Sequence, residues 1–290
     1  MRQVLRGIGI GVVAVLLLAV AVIAFAWWKS ENDRRLTIAI EDPSIAELAA
    51  TADLTHGRYL FETRGCGDCH AMDGSGRFLD SSPVISLAAP NITPAGLGDR
   101  YDADAIAAAV RHALRHDGTP LLFMPSNDWD EMSDADVAAI AAYVLALPPV
   151  DNDPGRTEPG PLGRVLYLFG QFPLLPALDI DHAPRARRAP APAATARYGF
   201  YVAQTCTGCH GIDFAGAQRG PRGTPRSSDL RPGGRMAGWS EEDFFRAMRE
   251  GRRPDGSELH PFMPWQSLGR MTDVELGALW KYFETLPPAE

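Results

Sequence analysis

Apolar residues run through this chain in three patterns, and each predicts a different kind of element. The first pattern is continuous: no charge interrupts Gly7 to Trp28, and Arg2 and Arg6 precede the run. About 20 apolar residues suffice for a helix to cross a bilayer, so residues 1–28 read as a membrane anchor. The arginines would stay on the cytoplasmic side, and Trp27-Trp28 suit the far interface. Ala24-Phe25-Ala26 keeps a cleaved signal peptide as the alternative. Either reading exports the remainder, with residues 29–50 as a polar tether.

The second pattern has the 3.6-residue period of a helix buried on one face. Val137, Ile140, Ala141 and Val144 carry it in a segment that Ser133 caps and Pro148-Pro149 stops. We expect helices over 53–64, 102–116 and 133–147, and again over 196–205, 240–251 and 272–286. Thr272 with Glu275 has the form of a capping box. No run of strands is convincing, so the fold class is all-α. The third pattern is a Pro-rich stretch, 150–197, expected to be extended or irregular. Its apolar part, 165–178, reads as a connector packed on one domain, or else as a contact with the membrane or a partner.

The helical segments repeat. Cys66 and His70 recur 140 residues later as Cys206 and His210. Phe123-Met124-Pro125 recurs as Phe262-Met263-Pro264, Met132-Ser133-Asp134 as Met271-Thr272-Asp273, and Leu147-Pro148-Pro149 as Leu286-Pro287-Pro288, all shifted by 139. The repeat divides the chain into two homologous domains, 51–149 and 198–290, each of ordinary domain size.

Charge narrows the partners. The net charge of −8 argues against nucleic acid. The first domain carries 6 Lys and Arg against 14 Asp and Glu, the second 11 against 12. An acidic first domain suits a basic partner, although a solvated acidic surface explains the same numbers.

All four cysteines lie in Cys66-Gly67-Asp68-Cys69-His70 and Cys206-Thr207-Gly208-Cys209-His210. C-x-x-C-H is the attachment pattern of c-type haem. Each thiol adds to a vinyl group, and the adjacent histidine lies under the iron as an axial ligand. We therefore expect two covalently bound haem c groups on Cys66, Cys69, Cys206 and Cys209, with His70 and His210 as iron ligands. A zinc site would need the two pairs to converge, and a thioredoxin-like motif would need a βαβ setting. Met124 and Met263, about 54 residues after each histidine, are the expected second axial ligands. Each Pro that follows keeps its Met extended. His112, His116 and His260 do not recur and read as structural, and His56 as a surface residue. Tyr101 and Trp239 open the middle helices, where they either shield a haem edge or pack in the core. Arg111 and Arg249 match in position and read as solvated helix faces, with a haem propionate as the alternative partner for one of them. Met132 and Met271 read as hydrophobic staples.

At these motifs the chain resembles class I cytochromes c. It is especially similar to the membrane-bound cytochrome c subunits of bacterial quinoprotein alcohol dehydrogenases and molybdenum hydroxylases. Asn91-Ile92-Thr93, Asp117-Gly118, Asp255-Gly256 and the Leu-Pro-Pro helix ends carry the likeness, over about residues 52–288. The resemblance implies crossed first and last helices, with Phe61 and Tyr201 facing Tyr143 and Tyr282. Gly57 would be the small residue of that contact; Arg197 stands at the matching place in the second half, with Gly199 two residues on. It also implies a proline carbonyl accepting from each haem histidine, with Pro83 and Pro221 the nearest. The alcohol dehydrogenase subunits usually carry three haems, where this chain has two motifs.

The expected function is an electron carrier of the bacterial inner membrane, anchored by one N-terminal helix with its haem domains in the periplasm. It would link a dehydrogenase or quinol to a soluble cytochrome, an oxidase or another respiratory acceptor, and would be no enzyme by itself. The alternatives are a dihaem peroxidase, a thiosulfate-oxidising cytochrome, or a cytochrome c subunit of a terminal oxidase.

Overall fold

A computed structural model describes residues 2–217 and 226–289. Its α-helices in chain order are α1 (Arg2–Asp33), α2 (Ala46–Ala50), α3 (Leu54–Thr63), α4 (Cys66–His70), α5 (Pro94–Leu97), α6 (Ala103–His112), α7 (Asp134–Leu145), α8 (Pro161–Leu168), α9 (Ala196–His210), α10 (Glu241–Glu250), α11 (Trp265–Leu268) and α12 (Asp273–Phe283). A small antiparallel sheet joins β1 (Arg77–Ser81), β2 (Ile85–Ala89) and β3 (Glu158–Pro159) in that order. The chain is helix-rich, in line with the all-α expectation, and this small sheet is an addition to it. Its strands are short and irregular, with a register shift between Phe78 and Asp80, which is why no alternating run announces them.

In each half the first helix packs on the last: α3 on α7, and α9 on α12. A glycine sets each crossing. A Cβ on Gly57 would lie 2.1 Å from the Ala139 carbonyl oxygen, and one on Gly199 would lie 1.9 Å from that of Ala278. No side chain fits either place, so Gly199, not Arg197, is the counterpart of Gly57. Phe61 packs on Tyr143 with ring centroids 5.5 Å apart. In the second half the residue four after the glycine is Ala203, fully buried, and Phe214 meets Tyr282 instead, at 5.6 Å. Each half closes its own core, around Phe61, Val137 and Ile140 in the first and around Val202, Leu276 and Leu279 in the second.

Element ends follow local chemistry. Asp53, Asp102, Ser133, Thr195, Ser240 and Thr272 each accept a backbone N–H at a helix start. Helix α6 stops at His112, short of the expected residue 116, because Ala113 turns left-handed (φ 52). Gly65 (φ 82) separates α3 from α4. The second half has no such break, so α9 runs straight to His210. The full capping box is at Ser240 and Asp243. At Thr272 only half of the expected box forms: Glu275 N–H donates to Thr272 Oγ1 at 3.2 Å, while the Glu275 side chain turns away.

The segments expected to be loose are fastened. Residues 29–50 are no free tether: α1 continues to Asp33, Ile45 joins the first core, and Asp42 accepts from Arg187 at 2.6 Å. The 150–197 connector forms α8, which packs on the end of α1, and buries Leu174, Leu175, Ala177 and Ile180.

The two domains meet through a repeated contact. The Tyr59 hydroxyl accepts the Thr272 N–H at 3.0 Å and donates to Glu275. The Tyr201 hydroxyl accepts the Ser133 N–H at 3.0 Å and donates to Asp136. Each tyrosine from a first helix thus caps the last helix of the other domain. This corrects the expectation that Tyr201 belongs to the contact within its own domain: lying two residues after Gly199, it matches Tyr59, two after Gly57.

Candidate haem attachment sites

Each Cys-x-x-Cys-His segment lies on one helical turn, which puts both sulfurs and the histidine on neighbouring positions. The histidines are oriented alike. His70 Nδ1 lies 2.9 Å from the Pro90 carbonyl oxygen, and His210 Nδ1 lies 2.8 Å from that of Ser228. A carbonyl only accepts, so Nδ1 carries the proton in each ring and Nε2 keeps its lone pair. Burial holds both imidazoles below their ordinary pKa. They are neutral, the form an iron requires. The expected acceptor Pro83 is therefore replaced by Pro90; the Pro83 carbonyl faces Gly160 of the connector instead. Pro221 lies outside the described residues.

A second glycine pair brings these acceptors into reach. The N–H groups of Gly76 and Gly216 each donate to their histidine's carbonyl oxygen at 2.8 Å. Both have positive φ, 76 and 80. A Cβ on Gly76 would sit 2.5 Å from the Pro90 carbonyl carbon, and one on Gly216 would sit 2.3 Å from the Ser227 oxygen. In the first domain β2 leads into Pro90, and Asn91 holds the next turn: its amide donates to the Val150 carbonyl at 2.7 Å and its oxygen accepts from Thr93 N–H at 3.0 Å. Sequence reasoning missed Gly76 and Gly216. Their recurrence at a shift of 140 was the available signal.

Met124 and Cys66 pack against the first core, Met263 and Cys206 against the second. Both Met-Pro turns have the same backbone, with Pro125 at φ −80, ψ 55 and Pro264 at φ −79, ψ 52. Each Met carbonyl then accepts at 2.8 Å, from Ser126 N–H and from Trp265 N–H. The preceding residues differ. Phe123 is left-handed (φ 58), a conformation costing about 1–2 kcal/mol for a non-glycine residue. Its N–H donates to the Leu174 carbonyl at 3.0 Å, and its ring stacks on Phe172 at 5.4 Å. Phe262 instead donates its N–H to His260 Nδ1 at 3.1 Å. The connector holds one methionine turn; a local histidine holds the other.

The competing chemistries fit less well. Burial pushes the Cys66 and Cys206 thiols up to about 12, far from a reactive thiolate. Among the described residues no three His, Cys, Asp or Glu side chains converge as metal ligands, which removes the zinc reading. A thioether-linked haem uses the cysteines without needing thiolates, and the apolar surroundings of Cys66 with Met124 and of Cys206 with Met263 suit a porphyrin.

The sequence profile described as Cytochrome c matches residues 54–148 and 198–287. The chain belongs to the cytochrome c family. Cytochrome c domains bind haem covalently, and each matched segment holds one Cys-x-x-Cys-His. Among relatives, one of the subunits of the nicotinate dehydrogenase of Pseudomonas putida is 26% identical over 73% of this chain and 17% of its own length. The gluconate 2-dehydrogenase cytochrome c subunit of Pantoea cypripedii is 26% identical over 82% and 60%. The cytochrome c subunit of the quinone alcohol dehydrogenase of Gluconacetobacter polyoxogenes is 32% identical over 41% and 27%. This cytochrome thus spans less than two thirds of the length of these relatives.

The remaining candidates take structural places. His112 is buried between Asp42 (3.0 Å) and His182 (2.9 Å), His56 pairs with Asp136 at 2.8 Å, and His116 packs edge-on to Tyr101. Met132 and Met271 are core residues. Arg111 corrects the expected solvated face: it is buried, and donates to the Met132 carbonyl and to Asp134, both at 2.7 Å. Arg249 repeats this more openly, donating to the Gly269 carbonyl and to Asp273. Each arginine ties the middle helix to the start of the last one.

The two attachment segments also face the partner domain. Ser267, just past Met263-Pro264, donates to Asp68 at 2.6 Å. Asp128, just past Met124-Pro125, accepts from Thr207 at 3.3 Å and lies where a Cβ on Gly208 would fall. Each Cys-x-x-Cys turn therefore abuts the methionine loop of the other domain.

Proposed function

We propose that this cytochrome is a dihaem electron carrier of the bacterial inner membrane, held by α1 with both haem domains in the periplasm. It passes electrons between a dehydrogenase or quinol donor and a respiratory acceptor. Haem supplies a one-electron iron couple when bound. One observation carries the reading: each half has an oriented, neutral histidine and a matching Met-Pro turn, with Cys66 and Met124 on one core and Cys206 and Met263 on the other. Cys66, Cys69, Cys206 and Cys209 would hold the haems, and His70, Met124, His210 and Met263 would ligate their irons. With those ligands in place no position would be left for a substrate, and the chain's task would be to hold two irons and set their potentials. The contacts of Asp68 with Ser267 and of Asp128 with Thr207 fix each Cys-x-x-Cys turn against the methionine loop of the other domain, which would keep the two attachment sites in a constant relation.

The relatives named as dehydrogenase subunits support a dehydrogenase as donor. Helix α1 is long and apolar enough to cross a membrane, which supports the anchor. The purified full chain should accept two electrons and return them to a soluble oxidant, and should turn over neither peroxide nor thiosulfate in steady-state assays. Turnover of either by the protein alone would replace the carrier reading with an enzyme.

A further inference from the structure

Helix α8 has no role in the sites described above, yet it is built onto the anchor. Ala26, Ser30 and Asp33, one face of α1 at spacings of four and three, are buried beside it. The Arg164 guanidinium lies 3.9 Å from the Trp27 ring centre, donates to Glu31 at 2.7 Å, and also donates to Ser30 Oγ. The Tyr167 hydroxyl donates to Asp33 at 2.6 Å. These contacts span Ala26 to Asp33, about 10 Å of helix at 1.5 Å per residue. Trp27-Trp28 mark the bilayer interface, so α8 sits at that level.

The other face of α8 is apolar. Leu162, the half-buried Leu166 and Phe169, the C-cap residue just past the helix, follow the spacing of a single helix face. Leu162 is 47% and Phe169 64% exposed. Phe25, Trp27 and Trp28 of α1 are exposed at this level too, so α1 and α8 both present apolar side chains there. The polar side chains of α8 are spent inward on α1, which leaves the outward face nothing to offer but hydrocarbon.

We propose that α8 is an interfacial helix that lays Leu162, Leu166 and Phe169 into the outer face of the bilayer. It holds the first domain against the lipid surface. The chain leaving α8 reaches Phe172 and Leu174, the residues that hold Phe123 beside Met124. The connector thus joins α8 to the methionine loop of the first domain. The proposal rests on the reading of α1 as a membrane span.

Photolabelling the full chain with both haems tests it. The protein is placed in vesicles of phosphatidylethanolamine and phosphatidylglycerol containing a trace of phospholipid with a diazirine near the headgroup end of its acyl chain. Labelled peptides are then mapped by mass spectrometry. The expected result is label on α1 and on the peptide holding Leu162 to Phe169, several-fold above the peptide holding Ile212. Ile212 is the control, being 81% exposed on the second domain. Label on α1 with no excess over Ile212 at α8 overturns the proposal and leaves the anchor standing. No label on α1 overturns the anchor, and the proposal with it.

Discussion

Replacing Glu275 with Ala is expected to lower the stability of the protein by about 3–5 kcal/mol, the usual cost of leaving a buried charge without its partner. Glu275 and Arg64 come from different domains, and each side chain is 4% exposed. Glu275 also accepts from Tyr59 and, at 3.4 Å, from Tyr198. Removing it strands the Arg64 guanidinium and two hydroxyls inside the contact. Burial, with Glu275 beside it, pushes the Tyr59 hydroxyl up to about 12; this tyrosine stays a neutral donor at any physiological pH. Urea denaturation of the haem-loaded protein measures the loss. Glu62→Ala, which removes pairs with the exposed Arg58 at 2.7 Å and Arg270 at 3.2 Å, is the comparison and is expected to cost no more than about 1 kcal/mol. Similar losses in the two variants would mean that Arg64 and Glu275 do not hold the domains together.

Met124→Ala and Met263→Ala are expected to have the largest effect on redox behaviour. A thioether opposite histidine favours reduced iron. Its loss should remove the weak sulfur-to-iron absorption band of one haem and lower that haem's potential. The drop is expected on the order of tenths of a volt, within the roughly 0.8 V that axial ligands span. Each variant should shift one wave of a two-wave redox titration and leave the other in place. An unchanged band and potential in either variant would refute that methionine as a ligand.

The repeat made the candidate site legible. It gave Cys66, Cys69, His70 and Met124 their counterparts from sequence alone, because duplicated domains keep the same residues at the same places. Helix caps at Ser133 and Thr272 were legible for a local reason: a side-chain acceptor precedes its helix by a fixed offset. What escaped was non-local. The acceptors Pro90 and Ser228 differ in residue type, because a backbone carbonyl needs no particular side chain. Glu275 has the form of a capping-box residue, yet Arg64, 211 positions away, claims its side chain. Tyr201 matched an aromatic position by spacing from the cysteines, but α9 lacks the break at Gly65, and this shifts its register by two residues. The sheet escaped because its strands are short and bulged, and the folded tether because its anchor points, Asp42 and Ile45, are single residues.

The central claim is that both halves carry a covalent haem. Intact-mass spectrometry of the full chain purified from membranes tests it most directly, read together with the pyridine haemochrome spectrum of the same sample. The account predicts a mass exceeding that of the polypeptide by two haems, retained under denaturing conditions. A mass matching the bare polypeptide, or one haem only, would contradict it.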